Sequence, residues 1–188
     1  MTRCDAVTDL SGKLLIAMPS MGDPRFERSV IFLCVHSDHG SMGLIVNKPV
    51  PDLSFVNLLD QLGIPDAGGG CPIHFGGPME GSRGFVLHSP AVESAGTMEV
   101  SAVFGMTTTP DILRAISRGR GPEHAMLALG YAGWGPGQLE GEIRRNDWLV
   151  CDATPGLVFD TDNGAKWTHA IRSIGIDPLT LSAIGGRA

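Results

Sequence analysis

Aromatic and charged residues are scarce in this chain of 188 residues, at 6% and 18% of the sequence. Proteins that bind single-stranded nucleic acid stack bases on aromatic rings, and this chain has few aromatic residues to form such a surface. The formal net charge of −6 repels a phosphate backbone unless basic residues gather on one face. The densest basic pieces are short, namely Arg114, Arg118 and Arg120, and the pair Arg144 and Arg145. We therefore expect no nucleic-acid partner.

Long apolar runs and paired cysteine motifs are also missing. No stretch approaches the roughly 20 apolar residues that a helix needs to cross a bilayer. The apolar run from Leu14 to Met18 is too short for a signal-peptide core. The four cysteines form no CxxC motif and no cysteine–histidine cluster at zinc-ligand spacing. We expect a cytoplasmic protein with free thiols, and no membrane partner, metal or cofactor.

Glycine and proline are abundant by contrast, with 26 and 13 residues, which is typical of a folded chain with many tight turns. The length predicts a single domain over residues 1–188, with room for a subdomain in the second half. Apolar patterning predicts strands at 13–18, 28–36, 42–47, 72–75, 83–88, 99–104 and 147–151. The segment 123–131 fits a strand or a helix, and its short length and glycine exit favour a strand.

Four helices are predicted from capping residues and apolar spacing. Asp52 is the expected N-cap of the first, Thr109 of the second and Asp162 of the fourth, while the third covers 136–145. The fourth helix would bury Trp167, Ala170, Ile171 and Ile174. Strands and helices do not alternate strictly, so the pattern favours an α+β fold with a mixed sheet over a doubly wound parallel one.

Histidines are the first candidates for chemistry. His36 and His39 flank an aspartate and could ligate a metal, but a solvated turn is favoured because no third ligand lies nearby in sequence. His74 and His88 each end a short strand, where local hydrogen bonding is favoured over a catalytic dyad. No GxSxG nucleophile motif is present, and the cysteines beside apolar strands favour packing roles.

The stretch GYAGWGPGQLEGEIRRNDWL at 130–149 concentrates the rare aromatic residues: Tyr131, which is the only tyrosine, and two of the three tryptophans, Trp134 and Trp148. Its glycine turn leads into a helix and matches no phosphate-binding or dinucleotide motif. A tight structural turn is therefore favoured over an anion site at the helix N-terminus.

Within that helix, Leu139 and Ile143 are spaced to bury together, and Gln138 and Glu142 form a polar edge beside the turn. Two interpretations follow. The aromatic residues can wall a pocket with a glutamine and glutamate rim, or they can form a buried corner whose polar tips are hydrogen-bonded. The second interpretation is favoured, and the first defines a candidate surface.

Three long segments resemble the signature regions of the bacterial YqgE/AlgH family: GKLLIAMPSMGDPRFERSVIFLCVHSDHGSMGLIVNKP, HFGGPMEGSRGFVLH and GYAGWGPGQLEGEIRRNDWL. The ending KWTHAIRSIGIDPLTLSAIGGRA is also similar, so the resemblance runs from about Gly12 to Ala188. It implies an α+β fold in which a large mixed sheet curls on itself like a half-barrel, flanked by helices, with a smaller α/β subdomain. One branch of the family is labelled a transcriptional regulator from its phenotype. No catalytic residue, cofactor or ligand comes with the resemblance.

Three functional hypotheses remain open. The first is a non-catalytic binding or regulatory module with a protein or small-molecule partner, whose binding candidates are Tyr131, Trp134, Gln138, Glu142, Asn47 and His88. The second is an enzyme of unfamiliar type in which His88 or His74 works with Glu142. The third is a direct DNA-binding regulator that uses the arginines of 114–120 and 144–145.

Overall fold

The structure, a computed structural model, describes residues 8–90 and 95–184, with the backbone alone at 182–184. Its strands are β1 (Lys13–Ala17), β2 (Val30–Ser37), β3 (Gly40–Ile45), β4 (Ile73–Phe75), β5 (Met79–His88), β6 (Thr97–Ser101), β7 (Phe104–Thr107), β8 (Ala125–Trp134) and β9 (Trp148–Asp152). Its α-helices are α1 (Phe55–Gln61), α2 (Asp111–Ser117), α3 (Gln138–Arg144), α4 (Asn163–Ser173) and α5 (Pro178–Ile184). The turns Pro24–Phe26 and Gly156–Asp160 are a 3₁₀-helix and a π-helix.

Eight strands form one antiparallel path in the order β6-β7-β5-β8-β3-β2-β1-β9, and β4 adds to it by pairing parallel with β8. The sheet is therefore mixed and curls into a half-barrel flanked by helices, which confirms the predicted α+β class. The ambiguous segment 123–131 is a strand, as its length and glycine exit indicated. Strand β2 lies inside the sheet between β1 and β3, in keeping with its continuous apolar run.

Alternating side chains send two sets of apolar residues to opposite faces of the sheet. One face carries Leu14, Phe32 and Leu44, which pack with Trp167 and Ile171 of α4. The other face carries residues of β1, β2, β3, β8 and β9 that pack under α3, among them Leu15, Ile31, Ile45, Trp134 and Trp148. A third apolar cluster packs α1 and α2 against β4, β5 and β8.

Several predicted boundaries were wrong. The predicted strand 99–104 is instead part of the hairpin of β6 and β7, because the turn at Ala102 and Val103 carries no glycine, proline or asparagine to signal it. Ser54 rather than Asp52 caps α1 and accepts a hydrogen bond from Asn57 N. The Thr109 hydroxyl donates to the Ala95 carbonyl instead of capping α2.

The predicted buried face of α4 was also partly wrong. Ile174 is 36% exposed, although Trp167, Ala170 and Ile171 are buried as expected. Ile174 follows the last helical residue, so it does not continue the buried face. Helix α5 and the two short helical turns were not predicted.

The link between β4 and β5 crosses β8 at close range. A Cβ built on Gly77 would lie 2.1 Å from the Tyr131 carbonyl carbon, which is closer than real atoms approach. Only glycine therefore fits where this link passes over the strand that carries Tyr131 and Trp134.

We expect Gly77→Ala to lower the free energy of unfolding by about 1–3 kcal/mol, because the added methyl group overpacks against the β8 backbone. Gly81→Ala in β5 is the matched control, since a Cβ there meets no atom within 4 Å. Urea unfolding followed by circular dichroism measures both variants. Equal free energies for the two would contradict the close approach.

Candidate functional site

Helix α3 is fixed over the sheet at both of its ends. Gly137 precedes it with φ 71° and Asn146 follows it with φ 62°, and both values are left-handed, a conformation that asparagine tolerates just after a helix. Leu139 is fully buried under the helix. His36 Nδ1 accepts from Leu10 N at 3.2 Å, so Nε2 carries the proton and donates to Glu140 Oε1 at 3.0 Å. This bond ties α3 to β2.

The Glu142 carboxylate is the polar centre of the site. Its Oε2 accepts two indole N–H groups, from Trp134 at 2.9 Å and from Trp148 at 2.8 Å. Its Oε1 accepts from Gln138 Nε2 at 3.0 Å, and Gln138 Oε1 in turn accepts from Gly135 N. The indole N–H groups of Trp134 and Trp148 are therefore hydrogen-bonded, as the favoured interpretation expected, whereas Tyr131 is not part of this corner.

A cleft of about 280 Å³ nevertheless opens beside α3, next to this corner. The two indole rings meet edge to face, with their centroids 5.9 Å apart, and Phe26 packs edge-on against Trp148 at 5.8 Å. The other lining residues come from the segment around the Pro24–Phe26 turn, from the start of β5 and from α3, and include Met21, Asp23, Arg25, Pro78, Met79, Gln138, Glu142 and Asp147. We call this the α3 cleft.

Charge in the α3 cleft is negative, because its lining holds three carboxylates and one guanidinium. Arg25 hydrogen-bonds Asp23 at 2.6 Å and lowers the pKa of that carboxyl. Asp147 lies 3.4 Å from Arg145. Glu142 differs from both, since no lysine, arginine or histidine of the described part of the chain pairs with it.

Of the six binding candidates, Trp134, Gln138 and Glu142 line this cleft together. Tyr131 points to the other face of β8, where its ring packs edge-on against Phe85 with the centroids 5.8 Å apart. Asn47 lies beside the start of β2, and its side chain bonds Val30 N and Arg28 O. The structure thus gathers half of the predicted set.

His88 lies elsewhere, buried between β5 and β7. Its Nδ1 is 2.7 Å from the Ser89 carbonyl oxygen, which can only accept, so Nδ1 carries the proton. Its Nε2 therefore accepts from the Thr107 hydroxyl at 2.8 Å, and that oxygen is 2.7 Å from the Thr97 hydroxyl. Burial lowers the pKa of His88, in keeping with a neutral ring.

His74 occupies a third environment, at the N-terminal end of α4. Its Nε2 is 3.0 Å from Asn163 Oδ1. His74, His88 and Glu142 therefore have separate partners, and none of four clefts in the described part of the chain is lined by two of them. The geometry does not assemble the acid–base pair that the enzyme hypothesis requires.

The remaining candidates from the sequence are His36, His39 and the cysteines. His36 is buried in β2 rather than solvated, which corrects the predicted turn, while His39 is exposed in the turn. Within the two described ranges, no three histidine, cysteine, aspartate or glutamate side chains gather to hold a metal ion. Cys34, Cys71 and Cys151 are free, and burial raises the pKa of Cys34 and of Cys71 to about 12. Cys4 lies outside the described residues.

Comparison with known proteins gives the lineage. The family model described as AlgH-like matches residues 14–179. The chain belongs to the AlgH-like family. A UPF0301 protein of Cereibacter sphaeroides is 62% identical over 183 residues, which cover 96% of this chain and all of that protein. A UPF0301 protein of Jannaschia sp. is 55% identical over 188 residues, with 98% of each chain covered.

Two solved structures share this AlgH-like fold. The solution structure of the AlgH protein from Pseudomonas aeruginosa matches with a TM-score of 0.79 and 38% identity, over all of this chain and 98% of that one. The crystal structure of a protein from Corynebacterium diphtheriae matches with a TM-score of 0.73 and 23% identity, over 93% and 90% of the two chains. In the described part of our AlgH-like chain, no helix is long and apolar enough to span a membrane.

Sequence reasoning missed the far wall of the α3 cleft in this AlgH-like chain. Met21 and Phe26 come from the turn-rich segment after β1, and Met79 opens β5. No sequence motif indicates that these residues lie near α3, because only the order of the strands in the sheet brings them there. Trp148 did carry a signal, because it shares its short stretch with Trp134.

The buried histidines predict a pH dependence of stability. Burial lowers the pKa of His88 below the ordinary value of 6.5, so the unfolded chain binds this proton more readily than the folded one. The stability is present above about pH 6.5 and falls as the pH drops below it. We expect His88→Gln to reduce that fall in urea unfolding between pH 7 and pH 5. His39→Gln, in an exposed turn, is the control, and identical slopes for both variants would contradict the assignment.

Proposed function

We propose that this AlgH-like protein is a non-catalytic binding module whose α3 cleft takes a lysine or arginine side chain of a protein partner. The observation that carries the proposal is Glu142. It is a carboxylate at the cleft wall that is held in place by three donors and has no cation beside it in the described part of the chain. A carboxylate has about four lone-pair positions, so room remains for an ammonium or guanidinium group.

The donors around Glu142 orient it for this role. Two indole N–H groups hold Glu142 Oε2, while Glu142 Oε1 accepts only the Gln138 amide among the described residues. Gln138 is exposed, and its side-chain oxygen accepts a hydrogen bond from Gly135 N. Glu142 Oε1, which bonds Gln138, therefore faces the more accessible side of the site. Because the carboxylate needs no rotation to meet a ligand, little conformational entropy is lost on binding.

The walls of the cleft suit the long side chain behind such a cation. Trp134, Trp148 and Phe26 provide aromatic surface, and Met21 and Met79 provide flexible apolar contacts. Met79 is 49% exposed, so it extends the apolar surface to the rim. A volume of about 280 Å³ is below the range of sites for drug-sized ligands but sufficient for one extended side chain.

A regulatory role would follow from such binding rather than from DNA contact. The chain is acidic, and Arg114 and Arg145 each have an aspartate partner, at 2.7 Å and 3.4 Å. We place the partner in the cytoplasm, where the free thiols of Cys34, Cys71 and Cys151 would stay reduced. In this proposal the α3 cleft binds the partner and contributes no chemistry of its own.

Selection from a random peptide library on the immobilised full-length protein tests this proposal. We expect retained peptides to be enriched in lysine or arginine next to apolar residues. Glu142→Gln should weaken a selected peptide at least tenfold in calorimetric titration, or about 1.4 kcal/mol. The glutamine oxygen can still accept the indole N–H groups, so the fold should persist, which near-UV circular dichroism checks.

Glu99→Gln is the matched control, because Glu99 is an exposed glutamate in β6 that does not line the cleft. It should leave the affinity unchanged. Raised salt should weaken binding to the wild type, since the ion pair forms near solvent. Selected peptides without basic residues, or equal affinity of wild type and Glu142→Gln, would refute the proposal.

A further inference from the structure

A second cleft lies between β4, β8 and the start of α4. It has a volume of about 200 Å³ and shares no lining residue with the α3 cleft. Three polar side chains meet at it: His74, Asn163 and Lys166. Its apolar walls include Pro72, Ala125, Met126, Val158 and Phe159.

Lys166 is a buried lysine, with 3% of its surface exposed. Its Nζ donates to the Val46 carbonyl at 2.7 Å and to Asn163 Oδ1 at 3.0 Å. No carboxylate of the described chain forms an ion pair with it. Removal from water lowers the pKa of Lys166 to about 8, so a share of the side chain is a neutral amine near neutral pH.

The hydrogen bonds of Lys166 match a neutral amine. A neutral primary amine has two N–H donors and one lone pair, whereas an ammonium has three donors. Two acceptors surround Nζ, and they use both donors of the neutral form. The lone pair is then free, on a side chain that lines the cleft.

His74 also lines this cleft, and one of its ring nitrogens is an unused acceptor. Asn163 Oδ1 can only accept, so the His74 Nε2 at 3.0 Å from it carries the ring proton. Nδ1 then holds a lone pair, and no described residue gives it a hydrogen-bond partner although His74 is only 2% exposed. A buried polar atom left unpaired is costly and indicates a missing partner.

We infer that this cleft is a site for a small aldehyde, which Lys166 captures as an imine while His74 Nδ1 accepts a hydrogen bond from the intermediate hydroxyl group. The inference does not depend on the binding role of the α3 cleft. It rests on the buried amine with two acceptors, the unpaired histidine nitrogen and the cleft that both line.

The reaction balances without an oxidant or reductant. The Nζ lone pair forms a bond to the carbonyl carbon, and the C=O π pair moves to oxygen, which takes the proton that nitrogen loses. The resulting carbinolamine donates its hydroxyl proton toward His74 Nδ1. Loss of the hydroxyl group with the second N–H proton then gives one imine and one water. A desolvated lysine with a lowered pKa is a common starting point for such capture.

The charged surroundings favour an uncharged reactant. Asp160 and Asp162 also line the cleft and are exposed, and His124 Nδ1 lies 3.5 Å from Asp160. These carboxylates would repel a phosphorylated or carboxylated compound. His74 is the only other titratable residue that lines this cleft within the described chain. We therefore expect a small neutral aldehyde rather than an anionic one.

The chain has three lysines, Lys13, Lys48 and Lys166, so each serves as a reference for the others. Full-length protein is incubated at pH 7 with propanal and cyanoborohydride, which reduces an imine to a stable propylamine, and peptide mass spectrometry measures each lysine. We expect Lys166 to be labelled at least tenfold faster than Lys13 or Lys48. In urea, where burial is lost, the three rates should become similar.

Two variants separate the roles of the residues. Lys166→Arg should remove the fast label and leave Lys13 and Lys48 unchanged. His74→Phe keeps a ring but removes the acceptor, and should slow labelling of Lys166 several-fold with no effect at the other lysines. Labelling of Lys166 in the folded wild type that is slower than or equal to labelling of Lys13 would overturn the inference, whatever the variants do.

Discussion

One carboxylate, that of Glu142, holds together a site built from three separate elements. Trp134 ends β8, Trp148 begins β9, and Glu142 lies on the helix that joins these strands in sequence. In the sheet, β3, β2 and β1 lie between β8 and β9. At roughly 4.8 Å per strand spacing, a flat sheet would separate β8 from β9 by about 19 Å. The indole rings are 5.9 Å apart, so the curl of the sheet contributes to assembling the site.

The same interaction explains why a polar residue sits against an aromatic corner. Both tryptophans are almost completely buried, and their N–H groups would be costly to bury without an acceptor. Glu142 satisfies both with one oxygen and leaves part of the other facing the cleft. In our proposal, one side chain therefore both stabilises the fold and binds the partner. Elsewhere in the chain, the polar atoms of His88 and Asn47 form hydrogen bonds with neighbouring groups of the fold.

Much of the fold could be predicted from the sequence, because the buried strands carry long apolar runs and the helices carry clear apolar spacing. The polar edge of Gln138 and Glu142 was readable for the same reason, since it depends only on helical periodicity. Residues of the opposite wall, such as Met21 and Met79, were not readable, because their proximity follows from strand order. The cluster of His74 and Lys166 was missed likewise, as 92 residues separate the two in sequence.

The two clefts differ in their main polar group, which is the carboxylate of Glu142 in one and the amine of Lys166 in the other. In the α3 cleft Glu142 forms no ion pair with a cation of the described residues, and in the second cleft Lys166 forms none with a carboxylate of the described residues. Both are formed where apolar packing has removed a polar side chain from most of the water around it, which is where such groups interact most strongly with a ligand. Membership of the AlgH-like family does not assign either one.

The most direct test of the central claim is a two-dimensional ¹H–¹⁵N spectrum of the three indole N–H groups during titration with a basic peptide. Two of these groups bond Glu142, and the third, of Trp167, bonds the Ala17 carbonyl inside the core. We expect the Trp134 and Trp148 signals to shift together in wild type, the Trp167 signal to stay still, and Glu142→Gln to abolish the shifts. Unmoved Trp134 and Trp148 signals at a saturating concentration of a bound peptide would contradict it.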